Sequence, residues 1–116
     1  MKTENRIQQD CYTFLHNQHI HLRGLYFEIH NNAFSAQSGM RHKAIGRIAG
    51  VADNCLLLPA GRGIVFFEFK TEDGKQSPEQ KNWETIVKFN GYKYYLVRDL
   101  ETFKTIIKHE LSFTDN

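Results

Sequence analysis

Ile64-Val65-Phe66-Phe67-Glu68-Phe69-Lys70 is the stretch on which the reading of this chain turns. An apolar run meets an acid, an aromatic and a lysine. The β-branched and aromatic types predict a strand. Side chains alternate across a strand, so Glu68 and Lys70 share one face, while Phe67 and Phe69 share the other, which should be core. An acid near the end of a mostly apolar strand costs desolvation energy, and a metal ion, a partner charge or water must offset it. The simpler reading is a surface strand end carrying a Glu–Lys pair. The tripeptide is common, and only its context can decide.

Upstream, Cys55-Leu56-Leu57-Leu58 reads as a short strand stopped by Pro59, and Ala60 to Gly63 as a turn. The two strands form a hairpin. Its geometry brings Asp53, at the start of the first strand, roughly opposite residues 68 to 70. Two carboxylates with a backbone carbonyl and water make a hard oxygen site, suited to Mg²⁺ or Mn²⁺. Lys70 would then hold an attacking water or contact a scissile phosphate. Downstream, Ser77-Pro78-Glu79-Gln80 opens a helix: Ser77 as N-cap, Pro78 first, and Gln80 closing a capping box. Gln80 has a second reading, reaching back toward Lys70 or the water. Trp83, Ile86 and Val87 predict the buried stripe, and Asn90-Gly91 the stop. Tyr92 to Val97 should be a strand parallel to Ile64–Lys70 through a right-handed crossover. Asp99 caps a last helix with Leu100, Phe103, Ile106, Ile107 and Leu111 on one face.

The N-terminal part starts with a helix over Thr3 to Asn17, with Ile7, Cys11, Phe14 and Leu15 at helical spacing. A strand over Leu25 to His30 ends at Asn31-Asn32. Ser38 to Ile48 is ambiguous: Met40, Ala44, Ile45 and Ile48 could share a helical face, which Gly39, Gly46 and Gly50 oppose. The order α-β-(α)-β-β-α-β-α predicts an α/β fold, a mixed sheet flanked by helices.

Composition sets outer limits. The 116 residues fit one domain. The 41% apolar and 24% charged content is an ordinary globular balance, which argues against disorder except near Ser112 to Asn116. No apolar run approaches the roughly 20 residues needed to cross a bilayer, and the polar N-terminus has no signal-peptide core. We therefore expect no membrane partner and a cytoplasmic location. Cys11 and Cys55 are too few for a disulfide framework and should be reduced and buried. A net charge of +2 is compatible with a nucleic-acid partner without arguing for one; any basic footprint must be local. The best local patch is Arg41, His42 and Lys43 with Arg47, a candidate DNA contact leading directly to Asp53. Arg62, Lys75 and Lys81 read as surface charges. Tyr92, Tyr94 and Tyr95 read as packing. His16, His19, His21 and His30 fit no closed zinc spacing with Cys11.

Gly50-Val51-Ala52-Asp53, Leu56-Leu57-Leu58, Gly63, Phe66-Phe67-Glu68-Phe69-Lys70, Gly74-Lys75, Ser77-Pro78-Glu79-Gln80 and Gly91-Tyr92 follow one another in an order that resembles the VRR-NUC branch of the PD-(D/E)xK nucleases. The resemblance spans about residues 3 to 108 and is specific from Gly50 to Tyr95. It implies a restriction-endonuclease-like core and an Mg²⁺- or Mn²⁺-dependent endonuclease acting on DNA. By this resemblance Asp53 and Glu68 are metal ligands, and the Phe69 carbonyl, between Glu68 and Lys70, resembles the family's backbone metal ligand. Lys70 is the motif lysine and Gln80 the helix glutamine. Glu4 resembles the first-helix glutamate that completes the acidic cluster. At about 100° per residue it lies roughly 40° from the centre of the apolar stripe, and a first-turn acid also suits the helix dipole. Asn31 resembles an asparagine after the first strand. Ala52 departs from the pattern, standing where the family usually has proline; that proline shapes backbone and does no chemistry. Short stand-alone members resemble phage-encoded dimers that cut branched DNA such as Holliday junctions, a dimer setting two sites on two strands. The rival reading is a non-catalytic nucleic-acid-binding module that keeps the fold.

Overall fold

The computed structural model describes residues 1–30 and 44–112. Helix α1 covers Glu4–Gln18, capped by Thr3, whose hydroxyl accepts from the Arg6 N–H. A 3-10 turn at Ile20–Leu22 leads to strand β1, Tyr26–Glu28. Strands β2 (Asn54–Leu57) and β3 (Ile64–Phe69) follow, joined through Pro59–Gly61. Helix α2 is Pro78–Phe89, strand β4 is Lys93–Val97, and helix α3 is Leu100–Leu111. The sheet order is β1-β2-β3-β4. β1 and β3 run antiparallel to β2, whereas β4 runs parallel to β3, as the strand–helix–strand order requires. Strand β1 is shorter than the Leu25–His30 reading, although the Ile29 N–H still donates to the Asp53 carbonyl at 2.7 Å.

Alternation along β3 divides the molecule into layers. Val65, Phe67 and Phe69 are fully buried against α1 and α3, where Ile7, Cys11, Leu15, Phe103, Ile106 and Ile107 complete the larger core. Phe66 faces the other way and packs in a smaller cluster with Ala52, Trp83, Val87 and Tyr94 beneath α2. Ile86 corrects the expected stripe: it is 49% exposed. Trp83 and Val87 are four apart and align on one line of the helix, while Ile86 lies about 100° away from Val87 and misses the sheet. Cys11 and Cys55 are free and buried. Among the described residues no helix is long and apolar enough to cross a membrane.

α2 begins as the sequence predicts, with a complete capping box. α3 is capped by Asp99, whose carboxylate accepts from the Thr102 N–H at 2.7 Å. One buried acid anchors α3 to the sheet edge: Glu110 accepts from Lys93 Nζ at 2.7 Å and from the Tyr95 hydroxyl.

Candidate active site

The β2–β3 register pairs Asn54 with Phe67. The next step along this antiparallel ladder sets Asp53 against Glu68. Asp53 Oδ2 accepts from the Phe69 N–H at 2.8 Å, which fixes its carboxylate on the sheet. Glu68 is 1% exposed and Lys70 8%. Lys70 Nζ lies 3.8 Å from Glu68 Oε2, a charge contact rather than a close hydrogen bond. Gln80 reaches the same oxygen from α2: its Nε2 donates to Glu68 Oε2 at 2.8 Å. Meanwhile Gln80 Oε1 accepts from the Ser77 N–H at 2.8 Å. The capping box forms as read, and the amide reaches Glu68 rather than Lys70 or a water. The capping box uses up the amide oxygen, which leaves the amide nitrogen, a donor, facing the carboxylate.

Electrostatics follow from this burial. Desolvation raises the Glu68 carboxyl to about 8, and the neighbouring Asp53 charge adds to the rise while Lys70 opposes it. Burial also raises Asp53, against the lowering effect of the Phe69 N–H. Glu4, exposed at the start of α1, is near enough for its charge to push both carboxyls further up. Among the described residues no three His, Cys, Asp or Glu side chains close on one point, so Glu4 faces the pair without joining it. Glu68 Oε1 is buried without a hydrogen-bond partner. Asp53 and Glu68 face each other closely enough to share a hydrogen bond when one is protonated, and with that proton removed their oxygens are hard donors that fit a small divalent cation.

The fold is similar to that of solved structures. One solved structure, named "VRR_NUC domain protein", superposes with a TM-score of 0.80 over 97% of this chain and 90% of that one, at 17% identity. The chain has the VRR_NUC domain fold. A second structure, named "VRR_NUC domain", gives a TM-score of 0.62 over 93% of this chain and 98% of that one, at 21% identity. No family model matches the sequence, and no curated protein sequence matches it.

Asn31, Arg41, His42 and Lys43 lie outside the described residues. Arg47 is exposed and lines a hollow of about 260 Å³ with His30 and Val51. Three contributors escaped the sequence reading. Tyr94, read as packing, is indeed buried, but its hydroxyl accepts from Gln76 Nε2 at 3.1 Å and feels the charge of Glu68. Alternation was the available signal, since Tyr94 pairs with Phe66 and so shares the Glu68 face. Arg98 Nη1 donates to the carbonyls of Thr71, Glu72 and Gly74 at 2.6, 3.2 and 2.7 Å. That single group holds the loop joining Lys70 to α2, and no local pattern announces it. Gly50 passes directly over the first turn of α2; a Cβ there would sit 2.4 Å from the Glu79 carbonyl.

Proposed function

We propose that this chain is a metal-dependent endonuclease that hydrolyses phosphodiester bonds in DNA, preferring branched DNA such as Holliday junctions. The observation that carries the reading is Glu68: a fully buried carboxylate, one oxygen unpartnered, beside a second carboxylate and a lysine. Without an ion, this burial raises the carboxyl and favours its protonated form; a bound cation would take the place of that proton. Asp53 and Glu68 would hold Mg²⁺ or Mn²⁺, with the Phe69 carbonyl, and Glu4 would add negative charge from α1. When bound, such an ion supplies Lewis-acid stabilisation of phosphate charge and acidifies water. Lys70 orients the attacking water or the scissile phosphate, its stem buried and its ammonium tethered toward Glu68. Gln80 keeps Glu68 Oε2 in place by donating to it, which leaves Oε1 for the ion. The VRR_NUC fold of the neighbours agrees with a nuclease, and a homodimer, setting two such sites on two strands, suits a branched substrate. Arg47 and the 41–43 segment are proposed to contact DNA phosphates. A cytoplasmic location completes the reading.

The test is cleavage of labelled linear, flap and four-way-junction DNA with Mg²⁺, Mn²⁺ or EDTA. We expect metal-dependent cutting, strongest on the junction, reduced about 10²–10⁴-fold in Lys70→Ala. Tight binding with no cutting of any substrate by folded, metal-supplied protein would make this a non-catalytic binding module instead.

A further inference from the structure

Helix α1 carries two different exposed faces. On one, the charges are paired among themselves: Asp10 bonds Lys2 at 2.7 Å and Arg6 at 3.1 Å. On the other, Asn5, Gln8, Gln9 and Tyr12 recur at spacings of three and four, a neutral stripe of amides ending in an aromatic ring. This stripe borders a groove of about 650 Å³, with β1 and Asn54 forming its other wall.

The lining is unusual for a nuclease surface. Among the described residues its lining holds no Lys, Arg or His, and its one acid, Glu28, is bonded to Gln8. Tyr12 is 48% exposed, its ring stacked on His16 at 5.6 Å and otherwise open to water. Aromatic faces stack on unpaired bases, and side-chain amides pair with base edges. Gln8 spans the groove, its Nε2 donating to Glu28 at 2.9 Å, which ties α1 to the edge strand and holds the walls apart. Beneath the floor, the buried Tyr26 hydroxyl and the Asn54 side chain face each other. The groove begins beside Glu4, whose charge reaches both Asp53 and Glu68, although Asn54 and Asp53 face opposite sides of the sheet.

We propose that the α1–β1 groove receives an unpaired nucleobase of the bound strand, held by stacking on Tyr12 and by hydrogen bonds to the Gln9 and Asn5 amides. The inference rests on the nuclease reading for its substrate class and deepens it: it makes unpaired nucleotides beside the scissile phosphate a determinant of specificity. Phosphate contacts fall elsewhere, and this groove supplies the preference for branched over continuous duplex DNA.

The experiment places 2-aminopurine at successive unpaired positions in a flap substrate and follows its fluorescence as full-length protein is added, in EDTA. We expect quenching at one or two positions near the branch. Tyr12→Ala should remove it and weaken flap binding about tenfold more than it weakens duplex binding, the scale of one lost base stack. Tyr12→Phe should restore both. Gln9→Ala, also at an exposed position, should weaken flap binding less. Flap binding without quenching at any position overturns the proposal, as does an equal loss on flap and duplex in Tyr12→Ala. Quenching without cutting on later addition of Mg²⁺ would support the groove while sinking the nuclease reading. Cutting without quenching would do the reverse.

Discussion

Gln80 shows how one side chain can serve a helix and a site together. Its oxygen is committed to the Ser77 N–H and its nitrogen to Glu68. The two roles separate in Gln80→Glu, which keeps a capping acceptor but replaces the donor facing Glu68 with a second carboxylate. We expect α2 to keep its stability contribution while cutting falls about 10–100-fold, the range for a lost partner of a metal ligand. Gln80→Ala should lose the same activity and in addition about 1 kcal/mol of stability. Equal activity in Gln80→Glu and wild type would reduce Gln80 to a cap. Glu68 supports a pH prediction. Its folded carboxyl is raised to about 8 from an ordinary 4.5, so between those values the folded state binds more protons than the unfolded one. Stability without metal therefore falls as pH rises through that window. In EDTA the melting temperature should drop from pH 5 to 8, and Glu68→Gln, which has no proton to lose, should flatten the profile. About 1 kcal/mol corresponds to roughly 4 °C in a domain of this size. A flat wild-type profile would mean that Glu68 is not held in a desolvated place.

Secondary elements explain how these side chains come to meet. The segment before Asp53 crosses α2 so closely that Gly50, at φ 86°, has the Glu79 carbonyl and the Gln80 N–H where a side chain would go. Neither neighbour is a flexible side-chain end, so α2 would have to move. Gly50→Ala should destabilise the protein by more than the left-handed conformation alone costs, about 1–2 kcal/mol, and should lower cutting by displacing Gln80. Gly24→Ala is the control: its φ is 88° and nothing lies within 4 Å of the added carbon. Equal urea midpoints for the two variants would show that the close approach carries no energy. Much of this level was legible in the sequence. The hairpin, the capping box and the parallel β4 follow from local chemistry and connection rules, and the alternation in Ile64–Lys70 correctly assigned Phe67 and Phe69 to the core. Ile86 and Arg98 were not legible. Which residues on α2 meet the sheet depends on how the helix is rotated, and the Arg98 clamp joins groups 24 to 27 residues apart. Local pattern encodes neither. The juxtaposition of Asp53 with Glu68 was readable from the hairpin, because antiparallel register is arithmetic; the buried, orphaned state of Glu68 Oε1 was not, since it depends on what covers the strand.

The molecule as a whole is an unequal sandwich. α1 and α3 share the large aromatic core, whereas α2 rests on a small cluster of Ala52, Phe66, Trp83, Val87 and Tyr94. Among the described residues fewer apolar side chains are sealed under α2, so that layer should open at lower free energy than the other. The acid pair lies on this weaker side: Glu68 shares its face with Phe66 and is bonded from α2. Glu4 approaches from α1, on the stronger side. A cation held by Asp53 and Glu68 would therefore cross-brace the layer most ready to open. Since the ion binds the folded arrangement and not the open one, it stabilises by mass action, about 2.7 kcal/mol at a hundredfold excess over its Kd. Amide hydrogen exchange would read this directly. In EDTA, α2 amides should exchange faster than those of α1, α3 and β3. Saturating Mg²⁺ should slow the first turn of α2 and the start of β2 most, with the far end of α3 changing only as global stability changes. Glu68→Gln should abolish the local effect. If Mg²⁺ supports cutting yet leaves α2 exchange untouched, the ion is not braced against Glu68, and the acid pair acts in the reaction without being its seat.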